Sequence, residues 1–130
     1  MKKTILAILF GIMLFATPRN ASAQQPVNYQ AQDDSTYMTI ISDSTTVDGT
    51  RIVNYRPSPK VCSKNIEIHV KDGVITFAQF TKGCSGNTQG VCVLIKGMKV
   101  QDAIDKLDGI LCGRRGTSCP DQLATALKLL

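Results

Sequence analysis

Five cysteines are the residues of this 130-residue chain that point most directly to chemistry. They stand at positions 62, 84, 92, 112 and 119, all in the second half of the chain. A thiolate binds soft metals, attacks disulfides or is oxidised to form one. Because five is an odd number, at least one thiol has no disulfide partner within the chain. The number alone is compatible with structural disulfides, a metal site or thiol redox chemistry.

Two of the cysteines stand where helices are expected to begin. Cys84 lies just before one predicted helix, and Cys119 lies at the start of the last one. Helix N-termini carry unpaired N–H groups and a partial positive charge, and both stabilise a thiolate. Lys64 and Lys82 add positive charge nearby in the sequence. If the protein carries out redox chemistry, we expect Cys84 or Cys119 to be the reactive thiolate.

A predicted β-hairpin over residues 65–81 brings two of the cysteines together. Asp72-Gly73 is a typical two-residue hairpin turn, so facing residues have numbers that sum to 145. In this register Cys62 lies opposite Gly83, beside Cys84. Opposed residues are roughly 4.5–5.5 Å apart, close enough for a shared metal or a disulfide. The same register predicts the facing pairs Val70–Ile75 and Ile68–Phe77 on the core face of the hairpin, together with Ile66.

The remaining two cysteines can reach the same place. Cys112 precedes Cys119 by seven residues, across a loop that contains glycine. Four sulfurs from separate elements satisfy the tetrahedral coordination of Zn²⁺. We therefore predict a metal site formed by four cysteines, Cys62, Cys84, Cys112 and Cys119. One or two structural disulfides among the same residues remain the alternative, because the chain looks exported.

Other candidate residues favour structural roles. Cys92 stands inside a predicted helix beside Val91 and is expected to be a small buried apolar side chain. His69 lies on the polar face of a strand and is expected to be an ordinary surface histidine. Arg114-Arg115 could bind an anion, but a solvated loop is the expectation. A single histidine leaves little room for acid–base catalysis, so no catalytic residue is predicted.

The order of the elements predicts an α+β fold. Residues 37–42 and 51–55 are candidate strands before the hairpin. Helices are predicted over residues 88–96, capped by Asn87, over residues 100–107, and from Pro120 onward after a cap at Thr117 or Ser118. Strands followed by helices indicate a small antiparallel sheet covered by about three helices. The predicted apolar helix faces are Val91, Leu94 and Ile95; Val100, Ala103, Ile104 and Leu107; and Leu123, Leu127 and Leu130.

The first residues have the pattern of a secretory signal peptide. Lys2 and Lys3 precede an apolar run that is too short to span a bilayer, and Ala21-Ser22-Ala23 is typical of a cleavage site. We predict a signal peptide over residues 1–23, a flexible or partly stranded lead-in over 24–49 and one domain over 50–130. The protein is then exported after cleavage near Ala23, or cytoplasmic if the leader is not used.

The charge balance argues against nucleic acid as a partner. The chain has 15 basic and 10 acidic residues, and three of the bases (Lys2, Lys3 and Arg19) belong to the predicted signal peptide. The mature chain therefore carries a net charge of +2, which is no electrostatic case for nucleic-acid binding. No second apolar stretch predicts a membrane span.

Several short blocks resemble a known family. Residues 116–124 read GTSCPDQLA, and the chain also carries VCS at 61–63, GCSGN at 83–87, KGM at 96–98 and ILC at 110–112. Together they resemble the TSCPD domain family, which occurs as short stand-alone proteins and as the C-terminal domain of cobalamin-dependent ribonucleotide reductases. The resemblance implies that Cys62, Cys84, Cys112 and Cys119 are the family cysteines and that Cys92 is an extra one. This chain is far too short to be a reductase, so the resemblance implies an accessory module that is not an enzyme alone.

The chain is also distantly similar to U-type iron–sulfur scaffold proteins. Cys62, Cys84 and Cys119 match the three cysteines of that family. Lys64 stands where that family has a ligand aspartate, but Cys112 could supply a fourth ligand. This resemblance implies a scaffold-like fold, a single shared site and an iron–sulfur cluster as the alternative to zinc.

The leading expectation is thus a zinc-binding TSCPD module with a structural or partner-binding role, the partner being another protein. A thiol redox accessory of ribonucleoside-diphosphate reductase is one alternative. A disulfide-stapled exported interaction domain is the other.

Overall fold

The computed structural model describes residues 39–130, which form four strands followed by three helices. The elements are β1 Thr39–Thr45, β2 Arg51–Arg56, β3 Ser63–Lys71, β4 Val74–Lys82, α1 Ser85–Ile95, α2 Val100–Leu107 and α3 Cys119–Leu127. The strands form one antiparallel sheet in the order β1-β2-β3-β4. This is the predicted α+β fold. The predicted signal peptide and residues 24–38 of the predicted lead-in lie outside the described residues.

The three helices pack against one face of the sheet. That face carries Tyr55, Ile66 and Ile68, which are fully buried, and the helices contribute Ala103 and Leu123, among others, to the same core. Burying one large apolar side chain contributes about 1.5–3 kcal/mol. This shared core therefore fixes the helices, and the loops between them, relative to the strands.

The turn of the β3–β4 hairpin is as predicted. Asp72 and Gly73 have φ angles of 50° and 74°, and positive φ at both central residues is what a type I′ turn requires. Val70 pairs with Ile75, which confirms the register next to the turn.

Beyond this pair the predicted register is wrong. Ile68 pairs with Ala78 instead of Phe77, and Phe77 pairs with His69 on the opposite face of the sheet. The cause is a β-bulge in β4, in which Thr76 is the extra residue. The hydroxyl of Thr76 donates to the carbonyl of His69 at 3.2 Å. Because one extra residue turns every following side chain to the other face, Phe77 remains 36% exposed.

The β1–β2 hairpin is found where strands were predicted, with different bounds. β1 continues through Thr45, beyond the predicted end at residue 42, and therefore includes Asp43. Its carboxylate forms an ion pair with Arg51 of β2 at 2.7 Å. β1 is an edge strand whose residues are almost all exposed. Its sequence therefore has no alternation of apolar and polar residues that would mark where the strand ends.

Helix α1 differs from its prediction in two ways. It begins at Ser85 with Cys84 as the N-cap residue, whereas Asn87 was the predicted cap. Leu94 is 71% exposed, so its predicted burial is wrong. The helix packs against the sheet through a narrow face on which Thr88 and Ile95 are buried. Leu94 lies outside this face.

The predicted faces of α2 and α3 are confirmed. Ala103, Ile104 and Leu107 of α2 are buried, as are Leu123 and Leu127 of α3. Val100 and Leu130 are partly buried against the same core. Within residues 39–130 no helix has the length and apolar character needed to cross a membrane.

Candidate functional site

The four predicted site cysteines line one small pocket. Cys62 lies in the connection between β2 and β3, Cys84 at the N-cap of α1, Cys112 in the loop between α2 and α3, and Cys119 at the first position of α3. The pocket has a volume of about 30 Å³. Cys84 and Cys112 are exposed, Cys62 is half-buried and Cys119 is buried.

The hairpin places Cys62 next to the start of α1. A second register shift between Ser63 and Asn65 offsets the first one, and Ser63 pairs with Lys82. Cys62 and Gly83 come next along the two chain segments, in the facing positions that the two-residue hairpin turn predicts. Gly83 has φ +107°, and a Cβ at this position would lie 3.1 Å from the side chain of Thr88. Only glycine therefore lets the chain pass from β4 into the N-cap of α1 at this point.

The start of α3 is held by hydrogen bonds that converge on Asp121. The carboxylate of this buried residue accepts from the backbone N–H of Gly109 at 2.7 Å and from the hydroxyl of Thr117 at 2.6 Å. Its own backbone N–H donates to the hydroxyl of Ser118 at 3.2 Å, which confirms Ser118 as the N-cap. These bonds tie both ends of the α2–α3 loop to α3 and so position Cys119.

Neighbouring bonds extend this network to the other cysteine loops. Gln122 accepts from the backbone N–H of Ser58 at 2.8 Å and donates to the hydroxyl of Thr117 at 3.0 Å. The backbone N–H of Cys112 donates to the carbonyl of Thr117 at 3.2 Å. The β2–β3 connection, the Cys112 loop and α3 are thus fastened together around the pocket.

Arg115 contacts the site directly. Its Nη1 donates to the Sγ of Cys62 at 2.9 Å. This hydrogen bond, together with the charge of Arg115, lowers the pKa of the Cys62 thiol below its usual value. Sequence reasoning assigned Arg115 to a solvated loop and missed this contact, because 53 residues separate the partners.

The position of Cys84 at a helix start predicts a lowered pKa of its thiol, but the pKa is raised. The charge of Cys62 and the hydrogen bond that the two side chains share raise the pKa of the Cys84 thiol. Burial and the nearby Cys119 and Cys112 act in the same direction. Cys62 therefore ionises more readily than Cys84.

The side chains do not stand in ligating positions. Across residues 39–130 no three His, Cys, Asp or Glu side chains are arranged so that they could hold a metal ion. All five cysteines of the chain have free thiols. The structure therefore brings four thiols to one place without joining them.

Cys92 and His69 lie away from this site. Cys92 packs against the core, and burial raises the pKa of its thiol. His69 contacts Glu67, with 2.7 Å between Nε2 and Oε1, and its ring centroid lies 4.7 Å from that of Phe77. These contacts belong to the bulged part of the sheet.

Comparison with known families agrees with the sequence blocks. The family model of the TSCPD domain matches residues 32–130, most of the chain. The chain belongs to the TSCPD domain family. The match begins before residue 50, the predicted domain boundary, and includes β1. No curated protein and no solved structure matches the chain, so the similarity to iron–sulfur scaffolds remains a prediction.

The structure explains the residues that name the family. In the TSCPD segment of this chain, Ser118 caps α3, Pro120 stands in its first turn, and Thr117 and Asp121 fasten the preceding loop. Ser118, Cys119 and Pro120 of the segment line the pocket, and Cys119 contributes its thiol. The hydrogen bonds of the neighbouring residues hold this sulfur in place at the start of α3.

Proposed function

We propose that this TSCPD domain is a metal-binding module in which Cys62, Cys84, Cys112 and Cys119 hold one Zn²⁺. The observation that supports this most strongly is that four cysteines from four separate segments line one pocket. Four thiolates are a donor set of structural zinc sites, and they leave no open position for a catalytic water. The proposed role is structural or partner-binding, and the module is not an enzyme by itself.

The small volume of the pocket and the exposure of two of its donors are consistent with a single ion. A volume of about 30 Å³ suits one small ion better than a cluster of several atoms. Because Cys84 and Cys112 are exposed on loops, their sulfurs can turn toward an ion without disturbing the core. The sulfurs must close up in this way, since they do not stand in ligating positions. The same thiols could hold an iron–sulfur cluster, which is the alternative cofactor.

Arg115 has a role in this proposal. Zn²⁺ with four thiolates carries an excess of negative charge, and N–H donors to the sulfurs offset it. Arg115 already donates to Cys62. We assign it to positioning Cys62 and balancing the charge of the thiolates.

Thiol–disulfide exchange is a second candidate, favoured by the unequal pair Cys62 and Cys84. The Cys62 thiolate would attack a disulfide of a partner protein and release one partner thiolate. Cys84, after losing its proton, would then attack the mixed disulfide. The outcome is a Cys62–Cys84 disulfide and a partner reduced to two thiols. In this mechanism Cys62 is the nucleophile, in place of the expected Cys84 or Cys119.

Native mass spectrometry of the protein, isolated under anaerobic conditions without alkylation, tests both candidates. We expect one added mass of zinc, lost on acidification. Single Cys→Ser changes at positions 62, 84, 112 and 119 should each weaken zinc retention, whereas Cys92→Ser is the matched control that should retain it. Absence of zinc after reductive purification would contradict the metal proposal. A mass two hydrogens below that of the fully reduced protein would indicate one disulfide and support the redox pair. A mass four hydrogens below it would indicate two disulfides and support the disulfide-stapled domain.

We also propose that the module works outside the cytoplasm after cleavage near Ala23. The support is the pattern of the first 23 residues. N-terminal sequencing of the mature protein should begin at Gln24. An intact N-terminus on protein from the soluble cell interior would contradict export.

A further inference from the structure

Basic side chains gather at the end of the domain that carries the site cysteines. Three segments form this cysteine end: residues 56–66, 79–88 and 109–120. They contain six basic residues and no Asp or Glu. All six are exposed: Arg56, Lys60, Lys64, Lys82, Arg114 and Arg115.

The topology brings these residues to one surface. Arg56 and Lys64 line a common cleft, and Lys82 is adjacent because it pairs with Ser63. Arg115 is fixed against Cys62 by its hydrogen bond. Arg115 thus lines the cysteine pocket, and Arg56, Lys64 and Lys82 lie on the strand ends beside it.

Three acidic residues of the described chain border these segments, and each has a partner outside the basic set. Glu67, just after the first segment, has its Oε1 2.7 Å from Nε2 of His69. Asp108, just before the third segment, binds Lys128 at 2.6 Å. Asp121, just after it, is buried and accepts two hydrogen bonds. Because a net positive surface remains, the cysteine end attracts negatively charged groups.

Two exposed aliphatic side chains accompany the positive charges. Ile110 and Leu111, next to Cys112, are 41% and 57% exposed. Protein interfaces combine apolar and arginine side chains in this way. Single-stranded nucleic acid is bound on exposed aromatic side chains, but the only aromatic residue of the three segments is Phe80, which packs against the core.

We propose that the cysteine end docks an acidic segment of a partner protein, with Ile110 and Leu111 as its apolar contacts. This inference does not depend on zinc. It identifies the partner by its chemistry: carboxylates facing the basic side chains and an aliphatic residue facing Leu111.

The probe for a binding test is a fluorescein-labelled peptide of alternating glutamate and leucine, measured by fluorescence anisotropy with the mature protein. Lys64→Glu combined with Arg114→Glu should raise Kd about tenfold, because two attractive charges become repulsive. Lys96→Glu combined with Lys99→Glu changes the net charge equally outside the cysteine end, so Kd should change by less than about twofold. Leu111→Ser should raise Kd about threefold or more, whereas Leu94→Ser, also exposed but on α1, should leave it unchanged.

Two results would overturn the proposal. Equal weakening by the two double variants would mean that net charge alone attracts the peptide. Tighter binding of an oligothymidine or of phosphatidylglycerol vesicles than of the peptide would assign the surface to nucleic acid or membrane. Circular dichroism of each variant confirms that the fold is retained.

Discussion

Arg115 Nη1 lies 2.9 Å from Cys62 Sγ, although the two residues belong to different loops. This contact favours ionisation of Cys62 over that of Cys84. Arg115 stabilises the thiolate of Cys62, and the charge on Cys62 in turn disfavours ionisation of Cys84. Cys62 and Cys84 thus influence each other's ionisation.

The first prediction concerns the order of ionisation. In metal-free, reduced protein, the rate of Cys62 alkylation should reach half its maximum at a lower pH than that of Cys84, because their pKa values move in opposite directions. Arg115→Ala should shift the Cys62 midpoint upward. Peptide-resolved mass spectrometry after timed alkylation measures both midpoints. Arg114→Ala is the matched control, and an equal shift in that variant would contradict the assigned contact.

The second prediction concerns the network beneath Cys119. Asp121→Asn keeps the side-chain shape but leaves one of two buried hydrogen bonds without its acceptor. We expect the free energy of unfolding to fall by about 1–3 kcal/mol, measured by urea denaturation. Asp105→Asn, at an exposed residue bonded to Gln101, should change it by less than about 0.5 kcal/mol. Comparable losses in the two variants would refute the role of Asp121.

The fold and the meeting of the cysteines were predictable because they follow from local signals. Asp72-Gly73 determines the hairpin turn, and the segment from Thr117 to Asp121 contains a helix start. The bulge at Thr76 was not predictable, since an extra exposed residue leaves no mark on the alternation of the strand. The Arg115–Cys62 contact was also missed, because it depends on how two distant loops pack.

A third prediction tests the bulged register. Ile75→Ala should cost about 2–5 kcal/mol of unfolding free energy, because Ile75 is fully buried. Phe77→Ala should cost much less, since Phe77 lies on the open face of the sheet and its ring contacts His69. Thermal or urea unfolding of the two variants measures the difference. Equal losses would favour the unbulged register, in which Phe77 faces the core.

A fourth prediction follows from the buried hydroxyl of Tyr55. This hydroxyl has no hydrogen-bond partner among residues 39–130, and its burial, followed by the charge of Asp121, raises the pKa of Tyr55 to about 12. The folded state favours the neutral form, so this contribution to stability is complete below about pH 10 and is lost as the pH rises toward 12. The loss amounts to about 3 kcal/mol.

Tyr55→Phe should remove that part of the alkaline destabilisation while retaining the stability at pH 7, because no hydrogen bond is lost. Denaturant unfolding at pH 7, 10 and 11.5 measures the effect. An unchanged pH dependence in the variant would show that other groups cause the alkaline loss.

The central claim is that Cys62, Cys84, Cys112 and Cys119 act together as one metal centre. X-ray absorption spectroscopy at the zinc edge tests it most directly, on protein that retains its native metal. We expect zinc to be coordinated by four sulfurs at about 2.3 Å. The Cys92→Ser variant should keep all four, whereas Cys112→Ser should lose one. A shell dominated by nitrogen or oxygen, or protein that binds no zinc when fully reduced, would contradict it.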